Sequence, residues 1–502
     1  VSLRSFTLAD RIEANARLHS ERMAYRDGAL RVTHAQYASR VRSLAAGLSG
    51  AGVCPGDRIA VIAHNSALYL DLLGAAAWLG AIVVPVNWRL SADEVAHVVA
   101  DTAPRIVVAA PDLRAQLQTA DIGGMQTFSA GAEAPGWPTT DDLYVEVGTR
   151  FAPAAIDDEA GLLIVHTAAI GGRPRGAVLS HRGLLEGAAR SARAWGLTCE
   201  DVHVGVLPLF HIAGIAMWLA TQAGGGSTFV LPRFDPKAVL GAIDHEGGSL
   251  MGSFPPMLSG LLDAAAAQGS GLKALRVVSG IESPETLARF ASTCPHARFW
   301  SAYGQTETSG SISMAPLAER PGSAGRPVDG HVVAIADDAG VLLPAGSAGE
   351  ILVRGPMVFR GYWQRDADNA LTFRDGWHHT GDMGRLDADG YLWYLGRSPA
   401  KELIKPGGEN VYPAEVERAL GEHPAIAGAV VFGVADPQWG EAVKAVCELK
   451  SGVSIQADEL IEFVGQRIAR YKKPKHVVFV DRLARSADGA VDRAAVKAAH
   501  AG

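Results

Sequence analysis

Residues 162–181 read LLIVHTAAIGGRPRGAVLSH. The apolar run Leu162–Thr167 ends in a loop of small residues that holds Gly171, Gly172 and Gly176, and a second short apolar run and the helix-like segment Leu184–Trp195 follow. A run of that length rich in Leu, Ile and Val reads as a strand. Glycines let the backbone turn tightly and bring amide N–H groups close to an anion, and Arg175 adds positive charge. The Gly-x-x-x-x-Gly-Lys-Ser/Thr spacing of a Walker loop is absent. Taken alone, a plain glycine turn between strands is the simpler reading.

The same alternation extends in both directions, from Arg58 to about Trp300. Arg58–Ala63, Arg105–Ala110, Val202–Leu207, Ser227–Leu231 and Leu275–Ser279 are strand-like, and Pro236–His245 and Pro284–Ser292 are helix-like. This order predicts stacked α/β layers with largely parallel sheets. From Gly325 to Gly396, turn pairs such as Asp389–Gly390 separate short alternating runs, which predicts a β-rich subdomain. Beyond Arg397 a compact α+β pattern returns: helices Pro413–Leu420 and Asp458–Ile468, strands Ala429–Val434, Val443–Lys450 and His476–Val480, and a terminal helix. The expected division is a large N-terminal domain, residues 1–397, and a small C-terminal domain, residues 398–502.

Composition sets the outer bounds. A chain of 502 residues is too long for one hydrophobic core, and 48% apolar with 20% charged residues is ordinary for a globular enzyme. The net charge of -7 argues against nucleic-acid binding, which needs a basic surface. Cys54, Cys199, Cys294 and Cys447 lack metal spacing and read as reduced thiols of a cytoplasmic protein. No signal peptide is expected at Val1–Leu8. The apolar stretch Leu72–Val86 is shorter than the roughly 20 residues that span a bilayer, and it reads as a buried helix and a strand.

Four further segments carry chemistry. In Phe299–Thr308, FWSAYGQTET, a strand is expected to end at a Tyr–Gly turn, where an aromatic can stack on a base and Glu307 beside Thr306 can hold Mg2+ against phosphate; an ordinary polar turn explains it equally well. In Gly376–Asp382, GWHHTGD, the carboxylate of Asp382 in a turn could accept two ribose hydroxyls, although most such turns do nothing of the kind. The remaining two are Gly396–Glu415, GRSPAKELIKPGGENVYPAE, and the C-terminal pair Tyr471–Lys475, YKKPK, and Arg485–Arg493, RSADGAVDR.

In this order and at these spacings, from Pro55–Ser66 to Arg493, the segments resemble the acyl- and aryl-CoA ligases of the adenylate-forming superfamily. The resemblance implies an AMP-forming acid–thiol ligase that activates a fatty or aryl monocarboxylic acid with ATP and Mg2+ as acyl-AMP and passes the acyl group to coenzyme A. It implies phosphate contacts at Thr167, Gly172 and Arg175, although Ala168, Ala169, Ile170 and Gly171 stand where hydroxyl residues and glycine are usual. Glu307 with Thr167 would hold the metal. Gly280, Ile281, Glu282, Ala302, Tyr303, Gly304 and Thr306 would surround the nucleotide, and Asp382 with Arg397 would bind the ribose.

Lys401 matches the hinge about which the small domain swings between two poses, one for each half-reaction. In the second pose Gly407 and Gly408 would line the pantetheine tunnel, and Trp439, Arg470, Lys472, Lys473 and Lys475 would meet the CoA nucleotide; a solvated basic face is the plain alternative for the lysines. The acyl pocket would form around His211, Ile212 and Gly214, with His211 at its mouth. No Arg or Lys stands in this run to pair with a second carboxylate, so a monoacid is expected. A homodimer is left open.

One departure matters most. Ala490 occupies the place of the family's catalytic lysine, whose ammonium bridges the substrate carboxylate and the α-phosphate. Losing such a donor costs on the order of 10²–10³ in rate, so impaired adenylation is expected. A deliberate Lys→Ala change made to trap a complex would leave this residue, and a natural variant with another acid-activation strategy is the alternative. Two other functions fit the motifs: an adenylation domain that loads a carrier protein, and an acyl-AMP or nucleotide binding protein without turnover. A free-CoA thioester assay separates the first from a CoA ligase, and ATP binding without turnover marks the second.

Overall fold

The computed structural model describes residues 6–146, 151–167, 173–397, 402–486 and 490–501. Gly172 and Lys401, two of the expected site residues, lie outside this set. The expected α/β class holds: two large sheets build the first part of a large N-terminal domain, a smaller antiparallel sheet follows, and a small C-terminal α+β domain completes the chain.

The first sheet has six strands, in the order 126–129, 106–109, 58–62, 82–85, 161–167, 175–180. Its first five strands run parallel, and the inner ones at 58–62, 82–85 and 106–109 are nearly all apolar, as strands buried on both faces must be. Its antiparallel end is a hairpin, Gly161–Thr167 and Arg175–Ser180, in which Thr167 faces Arg175. Helix Ala67–Leu79 is buried on all sides and ends at Gly80 in the left-handed conformation, so Leu72–Val86 is indeed a buried helix and a strand.

The second sheet has nine strands, with Val277–Gly280 and Arg298–Gln305 side by side near one end. Its other end holds an unforeseen element. The hairpin Met23–Asp27 and Leu30–Thr33 docks beside Ser227–Val230, so the sheet takes in chain that precedes the first sheet. Two expected turns are strands instead. Arg298–Gln305 runs straight through Tyr303–Gly304, with a bulge between them. Asp382 lies inside strand Trp377–Leu386, because its ladder continues into Leu392–Arg397 with Asp382 directly opposite Arg397.

Helix His181–Trp195 positions one wall of the site. The Ser180 hydroxyl caps its N-terminus by accepting the Gly183 N–H at 3.1 Å, and Gly196 ends it with φ +60°. The small domain is a three-stranded sheet, Ile426–Asp436, Gly440–Leu449 and His476–Val480, packed on helices Pro413–Gly421 and Ala457–Gly465.

Candidate active site

Both domains line one cavity of about 340 Å³. Thr167 and Glu307 meet on its wall: the Thr167 hydroxyl donates to Glu307 Oε1 at 3.0 Å, and the Tyr362 hydroxyl donates to the same oxygen at 2.8 Å. Arg175 lies with its guanidinium 3.9 Å from the centre of the Tyr362 ring and 3.1 Å from Asp368. A carboxylate and a hydroxyl that both face a cavity are hard oxygen donors, and a magnesium ion takes one or two carboxylates and fills its remaining positions with phosphate and water. The residues present fit Mg2+.

The second cluster is built on the Asp382–Arg397 pair. Asp382 is buried, its Oδ1 is 3.4 Å from Arg397 Nε, and its Oδ2 accepts the Tyr303 hydroxyl at 2.7 Å and the Gln305 side-chain amide. Asp382 Oδ1 and Arg397 Nε are both buried without a hydrogen bond, which leaves capacity for a hydroxylated ligand. Arg397 and Lys405 reach the cavity wall. Burial holds the Lys405 ammonium below its ordinary value, with Arg397 adding to the effect. Burial raises the Tyr303 hydroxyl, and the Asp382 carboxylate raises it further.

The expected nucleotide wall divides. Ser279, Gly280, Ile281, Ala302, Gly304 and Thr306 line the cavity. Gly280 is required there, because with φ +155° a Cβ would lie 1.8 Å from the Ser253 carbonyl oxygen. Glu282 is a correction. It turns away and accepts the Ser253 hydroxyl at 2.6 Å and the Leu258 N–H at 3.3 Å. Tyr303 is buried and outside the cavity wall, with its ring stacked on Tyr394 at a centroid distance of 5.8 Å.

On the acyl side, His211 and Ile212 line the cavity. Gly214 does not; it is a packing position, where a Cβ would sit 2.4 Å from the Pro208 carbonyl oxygen. His211 Nε2 is 3.1 Å from Glu409 of the small domain, and Arg89 of the large domain pairs with the same carboxylate. Although burial acts to raise Glu409, His211 and Arg89 together hold it below the usual carboxylate range. Neither Arg89 nor Glu409 nor Lys405 was expected. Lys405 carries a local signal, two residues before the Gly407–Gly408 pair, whereas the Arg89–Glu409 pair spans 320 residues and has none.

The small domain presents Gly407, Gly408 and Glu409 to the cavity. Gly407, at φ +58°, donates its N–H to the Trp439 carbonyl at 2.9 Å, and a Cβ there would lie 2.8 Å from the indole. Trp439 is 40% exposed beside this loop. Lys475 lies 2.5 Å from Asp436, whose other oxygen accepts the Trp439 N–H. Arg470 is exposed and 3.6 Å from Glu462, which also lies 3.8 Å from Lys473. Lys472 is a correction: only 2% exposed, it is bonded to Glu94 and Glu415 between the domains and cannot face CoA in this arrangement. Ala490 is exposed and outside the cavity wall, with its carbonyl accepting from Ser486 at 2.9 Å.

Comparison with known proteins agrees with this geometry. The AMP-binding enzyme family matches residues 12–363, and the AMP-binding enzyme C-terminal domain matches residues 415–490. The chain belongs to this family. Within it, the chain is an adenylate-forming acid–thiol ligase of the acyl- and aryl-CoA type, which uses ATP, Mg2+ and CoA.

It is similar to an indoleacetate–CoA ligase of Aromatoleum aromaticum, 36% identical over 96% of each chain, and to a feruloyl-CoA synthase of Amycolatopsis, 35% identical over 96% of each. A Rhodopseudomonas palustris structure described as a long-chain-fatty-acid CoA ligase is 44% identical, covering 79% of this chain and 100% of that one, with TM-score 0.75. A double mutant of Bacillus subtilis o-succinylbenzoate CoA synthetase bound to a product analogue is 28% identical, covers 97% of this chain and 98% of its own, and superposes with TM-score 0.84. The same synthetase with its acyl-adenylate gives 0.69. Among the described residues no helix is long and apolar enough to cross a membrane.

Proposed function

We propose that the chain converts a compact aryl or arylalkyl monocarboxylic acid to its CoA thioester, and that the arrangement described is the thioester-forming pose. The observation that carries the substrate class is the wall formed by helix His181–Trp195. Gly187, Ser191 and Trp195 recur every four residues along one face of the cavity. At 1.5 Å per residue this stripe is about 12 Å long, and it ends at the buried Trp195 indole, which shares an apolar cluster with Leu207, Met217 and Trp300. The walls nearby, Leu207, Ala213, Ala216 and Met217, are uncharged. Such a pocket takes a flat apolar acid, and the tryptophan limits its length.

The pose follows from what each part of the small domain faces. Gly407 and Gly408 are at the cavity and Ala490 is not, and the superposition is closer on the product-analogue complex than on the acyl-adenylate complex of one synthetase. In this reading Glu307 and Thr167 hold Mg2+, which neutralises phosphate charge when bound. Asp382 and Arg397 orient the ribose, His211 sits at the pocket mouth, and Trp439, Arg470 and Lys475 lie along the CoA approach. The domain division at Arg397 and the hinge at Lys401 belong to the same proposal, as do a cytoplasmic setting and slow adenylation caused by Ala490. A panel of cinnamic, indolic and straight-chain fatty acids incubated with ATP, Mg2+ and CoA, read by mass spectrometry, tests it. Thioesters formed only from the long fatty acids would end the aryl assignment.

A further inference from the structure

Helix Ala92–Thr102 of the large domain opens with a capping box in which the Glu94 carboxylate accepts the Ser91 N–H at 2.8 Å. The same carboxylate reaches across to the small domain. Its Oε2 accepts the Ala469 N–H at 3.1 Å, and its Oε1 accepts from the Lys472 ammonium. Lys472 also donates to Glu415 of its own domain at 2.7 Å. All three charged groups are buried, and Ala469 and Tyr471 pack against the apolar core of the large domain around them.

A buried ammonium is tolerable only with a carboxylate beside it, and removing one partner of such a pair leaves the other charge uncompensated. Lys472 and Glu415 travel together whenever the small domain moves. Glu94 stays with the large domain, and its helix-capping bond to Ser91 does not depend on the small domain. Burial pushes the Glu415 carboxyl up, to about 7, against the pull of Lys472 and with Glu94 adding to the rise. Lys472 draws Glu94 below the carboxylate range although burial opposes this. One of the two carboxylates that compensate Lys472 is thus supplied by the other domain.

We propose that Glu94 is a positioning residue for thioester formation: it catches Lys472 and the Ala469 amide and so holds the Gly407–Gly408 loop against the cavity. The proposal rests on reading this arrangement as the thioester-forming pose. The catch is separate from the Arg89–Glu409–His211 cluster, which lies at the cavity itself, and it assigns to Lys472 a task other than contact with CoA.

Glu94→Gln tests the catch, because glutamine preserves a capping box while removing the charge. The first measurement is amide hydrogen exchange in the full chain, which needs no substrate. Exchange at Ala469 should rise by about tenfold or more, as a broken buried interfacial pair implies, while exchange within strand Gly440–Leu449 stays unchanged. The second is single-turnover thioester formation from supplied cinnamoyl-AMP and CoA, which should fall by a similar factor, while adenylate formation measured in an Ala490→Lys background is unaffected. Unaltered exchange at Ala469, or equal slowing of both half-reactions, would overturn the proposal. If the parent chain makes no thioester from cinnamoyl-AMP, the substrate assignment fails, and the exchange result decides the catch by itself.

Discussion

The Thr167 hydroxyl lies 3.0 Å from Glu307 Oε1 although 140 residues separate them. One residue ends a strand of the first sheet and the other follows a strand of the second, so the pair ties the two sheets together at the cavity. Glu307→Gln keeps the shape but removes the charge that would hold Mg2+. Pyrophosphate exchange, measured with Ala490→Lys to lift the baseline, should fall on the order of 10²–10³-fold, about 3–4 kcal/mol of transition-state stabilisation. A rate within threefold of the parent would remove Glu307 from the metal site.

Restoring the ammonium at position 490 should raise adenylate formation by a comparable factor. Thioester formation from supplied acyl-AMP should hardly change, because Ala490 lies outside the cavity in this pose. The comparison is Ala490→Lys against the parent in both half-reactions. Equal exchange rates would show that the chain activates acids by another route.

Trp195→Ala should open the far end of the acyl pocket. Acids longer by several methylene groups should gain in kcat/KM relative to cinnamic acids. Truncating a buried aromatic also costs about 3–5 kcal/mol of stability, so denaturant unfolding must accompany the assay. A destabilised variant with the parent's substrate order would mean that Trp195 supports the fold and does not set length.

Asp382→Ala would strand three donors, the Tyr303 hydroxyl, the Gln305 amide and the Arg397 guanidinium. Removing one member of a buried charged pair costs about 3–5 kcal/mol. Asp382→Asn keeps two of the contacts and should lose less stability while still raising the KM for ATP. Equal KM values in Asn variant and parent would separate Asp382 from nucleotide binding.

Acid should undock the Glu409 loop. His211 and Arg89 depress the folded-state value of Glu409, so its contribution is complete above its unfolded value and fades as the pH falls through the folded one. Trp439 fluorescence, which reports the neighbouring Gly407 loop, should show a transition below the ordinary carboxylate range. Glu409→Gln should abolish that transition. Its persistence in the variant would assign it to another group.

The sequence reveals those features whose cause is local. Apolar runs placed Arg58–Ile62, Ser227–Val230 and His476–Val480 within a residue or two; the first two are largely buried and the third is half-buried. The motif residues Thr167, Glu307 and Arg397 line one cavity, and Asp382 lies beside Arg397. What escaped is set by distant partners. A string such as Tyr471–Lys475 looks uniformly basic, yet Lys472 is sealed in by a carboxylate 378 positions away, while Lys475 stays half exposed. Asp382 sits beside Gly381, which suggests a turn, and only the ladder with Leu392–Arg397 makes it a strand residue. Glu282 follows the expected wall in sequence but is drawn off by Ser253.

The hairpin Met23–Asp27 and Leu30–Thr33 has a consequence for how the molecule is made. Its parallel neighbour, Ser227–Val230, is synthesised about two hundred residues later. Until then the leading hairpin emerges from the ribosome with a bare edge and no sheet to join, since a lone two-stranded ribbon is marginal in water. The second sheet can close only after most of the large domain exists, so an early stop or a slow passage before Ser227 leaves an open strand that invites aggregation.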